Sequence, residues 1–242
     1  MKLENEKDAI AIAKWAGCIR SAVIGERLQV DTKTMRGILR YCGKEAPVIL
    51  YIGGHTMNTP QGKIYLPADC CIDGENIPSR GIAFTDMRKM LFQKDKIQPM
   101  LLVTDACDFT NPLELPFVLR LDGKRGRWEK TEYYLEGNPK VKQSVLHFAS
   151  TKPAGLSYSF KFGGIFTREF CNVGLDEGLT LTERSAKIQE CIDKYMREYQ
   201  AMNGGELLSQ QHQDLNEKNP FAAFGLSYIP SQDLETPHIE GC

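Results

Sequence analysis

The chain has 242 residues, 42% of them hydrophobic and 25% charged, with a formal net charge of -1. That balance fits one large or two small globular domains and excludes bulk attraction to nucleic acid or to an anionic lipid surface. No apolar run approaches the ~18 residues of a membrane span, and the polar opening Met1-Lys2-Leu3-Glu4-Asn5-Glu6 does not read as a signal peptide.

The expected elements alternate between strand and helix. Residues 8–17 read as a short amphipathic helix closed by Gly17, and 34–42 as a second stopped by Gly43. Residues 48–52 form a β-branched, aromatic central strand and 63–66 a short strand or hairpin arm. Thr85 is placed to cap a helix running to Phe92, and 100–104 is the next buried strand. Residues 123–142 mix Lys124, Arg125, Arg127, Lys130, Lys140 and Lys142 with glycine, proline and glutamate, the pattern of an exposed loop. Residues 145–149 are a strand, and 165–171 and 182–203 are helices. Thr180 and Glu183 have capping-box spacing, and Ile188, Ile192, Tyr195, Met196 and Tyr199 form one apolar face. Residues 224–229 would close the sheet. The alternation argues for a largely parallel α/β sheet.

Eight cysteines, at positions 18, 42, 70, 71, 107, 171, 191 and 242, form no close ladder and no Cys-x-x-Cys pair, and only four histidines are present. A reducing, cytoplasmic setting without a zinc site is expected. Asp69, Asp73 and Glu75 make an acidic loop, which ordinarily means plain solvation.

Two residues carry the chemistry. His55 and Cys107 lie 52 positions apart, and each follows an apolar run: Val48-Ile49-Leu50-Tyr51-Ile52-Gly53-Gly54 and Met100-Leu101-Leu102-Val103-Thr104-Asp105-Ala106. Buried parallel strands ending in these residues place both at the carboxyl edge of the sheet, where open α/β sheets hold ligands. Either residue alone would more often be packing or a turn. Together they are a nucleophile with its base. No Gly-x-Gly-x-x-Gly or phosphate-binding Gly-x-x-x-x-Gly-Lys-Ser/Thr opens a helix, which sets a nucleotide-binding domain aside.

Three segments, in order, resemble the caspase/metacaspase clan of cysteine peptidases, closest to metacaspase-like or fungal-type members. Tyr51-Ile52-Gly53-Gly54-His55 is similar to the metacaspase Tyr-Ser-Gly-His-Gly segment. Asp105-Ala106-Cys107 resembles the Asp-x-Cys of metacaspases and the Gln-Ala-Cys of caspases. Residues 149–158, followed by Gly163-Gly164-Ile165-Phe166-Thr167, resemble the small-subunit Ser-Thr-x-Pro-Gly stretch and its Gly-x-Phe helix start. The resemblance spans roughly residues 8–230. It implies a caspase–hemoglobinase sandwich, a mostly parallel sheet flanked by helices, in one domain over 1–242: a large-subunit-like part at 8–122, a basic linker at 123–142, a small-subunit-like part at 143–230 and a tail at 231–242. The family begins with a strand before its first helix, and only about seven polar residues precede position 8 here, so that strand is expected to be absent. Its absence would open a sheet edge to a second copy or a partner chain.

The resemblance also implies roles. Cys107 would attack a peptide carbonyl with His55 as acid and base, and backbone N–H groups at Cys107 and near Gly54 would hold the oxyanion. Substrate binding would fall to Asp105, Ser150, Ser157 and Tyr158. No cofactor is needed, although some metacaspases require calcium, for which Asp69, Asp73 and Glu75 are the candidates. The caspase arginine that follows Ser-Trp is replaced by Ser159 after Ser157-Tyr158, and Asp105 stands where caspases have glutamine. Both changes favour a basic residue at P1, since a buried charge needs an opposite one. The family cuts itself between its two parts, which makes Lys124, Arg125, Arg127 and Lys130 candidate autocleavage sites, and by analogy its members serve cell death or stress responses as regulated zymogens. Thr56 replaces the glycine that usually follows the histidine. Asp108 follows the nucleophile and would oppose a thiolate if its carboxylate faced the sulfur. These departures keep a second reading open: an inactive caspase-like module that binds a partner.

Overall fold

The structure, a computed structural model, describes residues 5–17, 30–72, 75–93, 95–134, 143–151, 157–160, 163–173, 178–202 and 226–229. Helix α1 (Asn5–Trp15) ends at Gly17, whose φ of +64° suits a residue without a Cβ. Helix α2 (Thr32–Tyr41) starts where the Asp31 carboxylate accepts the Thr34 N–H at 2.7 Å. Strand β1 (Val48–Thr59) turns into β2 (Gly62–Leu66). The small hairpin of β3 (Cys71–Ile72) and β4 (Glu75–Asn76) follows, then β5 (Ile82–Ala83) and helix α3 (Phe84–Leu91). Next come β6 (Met100–Ala106), β7 (Phe117–Asp122), β8 (Arg125–Lys130), β9 (Val145–Ala149), β10 (Ser159–Phe160) and β11 (Gly163–Gly164). Helices α4 (Ile165–Asn172) and α5 (Leu181–Met202) and strand β12 (Leu226–Ile229) complete the described chain.

Eight strands form one sheet in the order β5-β2-β1-β6-β9-β12-β7-β8. The centre is parallel: β6 pairs with β1 on one side and β9 on the other. Every other pairing in this sheet is antiparallel, so the sheet is mixed around a parallel core. Strand β6 is covered on both faces, which explains its unbroken apolar run. Leu102 points into the layer of Met35, Leu39, Met87 and Leu91 from α2 and α3. Its neighbour Val103 points into the layer of Ile12, Phe166, Phe170 and Ile188 from α1, α4 and α5.

Several expectations change. Strands β1 and β6 both run longer than their apolar cores, β1 passing straight through Gly53, Gly54 and His55. Thr85 sits inside α3, whose cap position is Ala83. The start of the basic segment is strand, not loop: β7, which no sequence signal marked, pairs with β8 across the two-residue turn Gly123-Lys124. Strand β12 does not close the sheet but lies between β9 and β7. The α5 capping box is reciprocal, with Glu183 Oε2 accepting the Thr180 N–H at 2.8 Å and Thr180 Oγ1 accepting the Glu183 N–H at 3.3 Å. Among the described residues no strand precedes α1, and the outer side of β1 gains a partner only at His55, where β2 begins to pair. No described helix is long and apolar enough to cross a membrane.

One buried group makes this fold sensitive to acid. His147 on β9 is fully buried, its Nε2 is 2.8 Å from Thr104 Oγ1, and its Nδ1 has no hydrogen-bond partner among the described residues. Burial pushes its imidazole down to about 3. The unfolded chain therefore takes up a proton near the ordinary value of ~6.5 that the folded chain refuses until about pH 3. Stability is lost as pH falls through that window, by about 1.4 kcal/mol per pH unit once below the unfolded value. Urea melts between pH 7 and 5 should show a steeper loss for the native chain than for His147→Gln; equal slopes would remove His147 as the cause.

Candidate active site

The last rung of the β1–β6 ladder joins Gly54 to Ala106. His55 and Cys107 are the next residues on the two strands, so the parallel register brings them level at its carboxyl edge. There β1 leaves β6 and takes up β2, with His55 opposite Leu66. The change of partner explains the two glycines. Gly54 has φ +145°, and a Cβ there would come within 3.1 Å of the Tyr65 ring. The Tyr65 hydroxyl donates to the Gly53 carbonyl at 2.9 Å.

The backbone around Cys107 is tied down by side chains. Thr151 Oγ1 donates to the Ala106 carbonyl at 3.3 Å and Thr56 Oγ1 to the Cys107 carbonyl at 2.6 Å. In a trans peptide the N–H points opposite to the C=O. Fixing these two carbonyls therefore turns the Cys107 and Asp108 N–H groups away from the hydroxyls that hold them. Thr56, the residue in the family's glycine position, thus has a structural task. The Cys107 Sγ accepts the Ser157 N–H at 3.3 Å. Asp108 does not stand as a bare charge beside the sulfur: its Oδ2 pairs with Lys63 Nζ at 2.6 Å. Burial lowers the His55 imidazole below its ordinary value, which favours the neutral ring at neutral pH. By contrast burial pushes the thiols of Cys42, Cys70 and Cys191 up, and that of Cys171 up to about 12, as befits packing residues.

Two buried acids lie next to this turn. Asp105, 7% exposed, accepts from Ser157 Oγ, from Thr167 Oγ1 at 2.7 Å and from the Thr167 N–H at 3.3 Å. Thr167 is in the first turn of α4, so Asp105 caps that helix across 62 residues of chain. Asp8 of α1, 4% exposed, receives the Gly164 N–H at 2.9 and 3.0 Å on its two oxygens. Two carboxylates thus converge on the positive end of one helix. Their fields also raise the Tyr51 hydroxyl, after the larger effect of its burial. Glycine at 163 and 164 is required: a methyl at 163 would strike Asp8 Oδ1, and one at 164 would strike Asp105 Oδ2.

The sequence marked Asp105, Ser157 and Tyr158, and the structure gathers them: Tyr158 is half-buried, and Cys107 adds to burial in raising its hydroxyl. Ser150 follows β9, its N–H bonded to the Thr104 carbonyl at 2.9 Å and its buried Oγ unpartnered among the described residues. Asp8 was missed, yet it left a signal. It shares a helix face with Ile12 and Trp15, and an acid on an apolar face is rarely solvated. Of the acidic loop, Asp69 Oδ1 accepts the N–H and hydroxyl of Thr32, both at 2.8 Å. Asp73 and the Glu75 side chain lie outside the described part.

A caspase domain profile matches residues 28–215, and with that fold the chain belongs to the caspase domain family of cysteine peptidases. The match begins after α1, so it does not include Asp8. No match was found among curated proteins.

Gly164→Ala should lower stability by about 2–3 kcal/mol, because neither the backbone nor the buried Asp105 can yield to the new methyl. Urea denaturation would measure it, and an unchanged midpoint would mean that the carboxylate can move aside.

Proposed function

We propose that the chain is a cysteine endopeptidase that cleaves after arginine or lysine, with Cys107 as nucleophile and His55 as its acid–base partner. The register that sets His55 level with Cys107 at the end of the parallel ladder carries this reading. The neutral imidazole takes the thiol proton as sulfur bonds to the scissile carbonyl carbon, and passes it to the leaving amine as the C–N bond breaks. It then deprotonates a water that hydrolyses the thioester and frees the sulfur. The Cys107 and Gly54 N–H groups face the oxyanion. Asp8 and Asp105 supply negative charge for the P1 cation. The donors to Asp105 among the described residues are all neutral, so its charge has no cationic partner there. Ser157 and Tyr158 line the approach, with Ser150 behind them. Self-processing fits best at Lys124, exposed at the β7–β8 turn, because Arg125, Arg127 and Lys130 are held in the ladder. A cytoplasmic setting agrees with the free thiols of Cys42, Cys70, Cys107, Cys171 and Cys191 among the described residues.

The second reading, an inactive module, is favoured by one observation: the β1 edge from Val48 to Gly54 has no outer partner among the described residues. Such an edge can take a strand from a second copy or another chain.

Matched fluorogenic peptides ending in Arg, Lys or Asp separate the readings, assayed with and without calcium. Cleavage after Arg or Lys is expected, abolished by Cys107→Ala and reduced about 10²–10⁴-fold in kcat by His55→Ala. Asp8→Asn should lower kcat/KM for the Arg peptide by at least about tenfold. Cleavage after Asp would overturn the pocket assignment; no turnover in any condition would favour the inactive module. In the active chain, the acid limb of kcat/KM should fall below pH ~6.5, because burial makes the free-enzyme His55 harder to protonate than an ordinary imidazole. A limb above that value would assign it to another group.

A further inference from the structure

Asp108 sits in a demanding place. It directly follows Cys107, adopts φ +49°, and brings a carboxylate to within one residue of the thiol. From β2, Lys63 reaches across and donates to the Asp108 carbonyl at 3.0 Å while pairing with its Oδ2 at 2.6 Å. The Lys63 ammonium also lies over the Phe84 ring, 6.0 Å from its centroid, and Phe84 packs edge-on against the fully buried Phe109, the residue after Asp108. The nucleophile turn is therefore held on its β2 side by one cation.

Resting on the reading of Cys107 as nucleophile, we infer that Lys63 is a positioning residue: it cancels the Asp108 charge beside the sulfur and pins the left-handed turn that presents the Cys107 and Asp108 N–H groups. Neutralisation and pinning are separable. Removing the cation takes one positive charge away from the residue that directly follows a sulfur that must itself become negative. Among the described residues, the other ionisable groups on the elements that meet at this turn are His55 on β1, Asp105 on β6, Tyr158 before β10 and, beyond Asp105, Asp8 of α1. None of these has its charge altered by a change at Lys63.

The test compares alkylation of Cys107 in the purified full chain by neutral iodoacetamide and by anionic iodoacetate, quantified by peptide mass spectrometry. Lys63→Met should lower the iodoacetate-to-iodoacetamide ratio at Cys107 by about fivefold, the effect of one unit charge a few ångströms away in a water-like medium. Lys63→Arg should keep the ratio within about twofold of the native chain. Asp108→Asn, which tolerates the same left-handed backbone, should raise the ratio, and adding it to Lys63→Met should restore at least the native value. Loss of a merely structural support would slow both reagents alike and leave the ratio unmoved. That outcome, or a ratio unchanged in Lys63→Met at unchanged melting temperature, overturns the inference. Peptide turnover is scored separately, so a chain that shows the ratio change without cleaving keeps the role of Lys63 and loses only the peptidase reading.

Discussion

The parallel pairing of β1 with β6 is the constraint from which the site follows. It runs for seven rungs, from Val48 opposite Met100 to Gly54 opposite Ala106. Parallel strands share one direction, so their carboxyl ends coincide, and the residues just beyond the last rung emerge side by side. Both strands are packed by helices on two faces, and slipping the register by one residue would exchange Leu102 and Val103 between the two apolar layers. The cost of that exchange holds His55 level with Cys107. Core packing thereby sets the geometry of the edge.

Beyond the ladder, each strand needs new anchors, and the chain draws them from distant segments. The β1–β2 hairpin supplies Thr56 and Lys63, the end of β9 supplies Thr151, and the loop before β10 supplies the Ser157 N–H. The acids reverse the usual relation between helix and cap. Gly164, at the cap position of α4, has no side chain to give, so Asp105 and Asp8 arrive from β6 and α1 to serve the helix start. The missing Cβ atoms are what leave them room.

The sequence made the parallel core legible because β6 and β9 are covered on both faces and write continuous apolar runs. It showed α5 through its capping box and its buried face of Ile188, Ile192 and Met196. The edges were less legible. Arg125–Lys130 is charged and exposed because β8 is an edge strand, and composition alone cannot distinguish that from a loop. The extension of β1 past Ile52 was hidden by Gly53 and Gly54, which usually punctuate a strand but here permit a change of partner. His55, Cys107 and Asp105 could be read because motif and strand end coincide. Asp8 was signalled only as an acid on an apolar helix face and Lys63 not at all, since their partners lie 156 and 45 positions away.

The two ends of the eight-stranded sheet differ in how they meet solvent. At one end β5 is two residues long, too short to template another strand. At the other, β8 offers a full six-residue edge, but Arg125 and Arg127 are exposed along it. Two copies approaching edge to edge through β8 would bring these cations together, and the repulsion would act before any backbone hydrogen bond could form. The same charges that make the segment look like a linker also guard the β8 edge against edge-to-edge pairing, a protection that added salt would weaken.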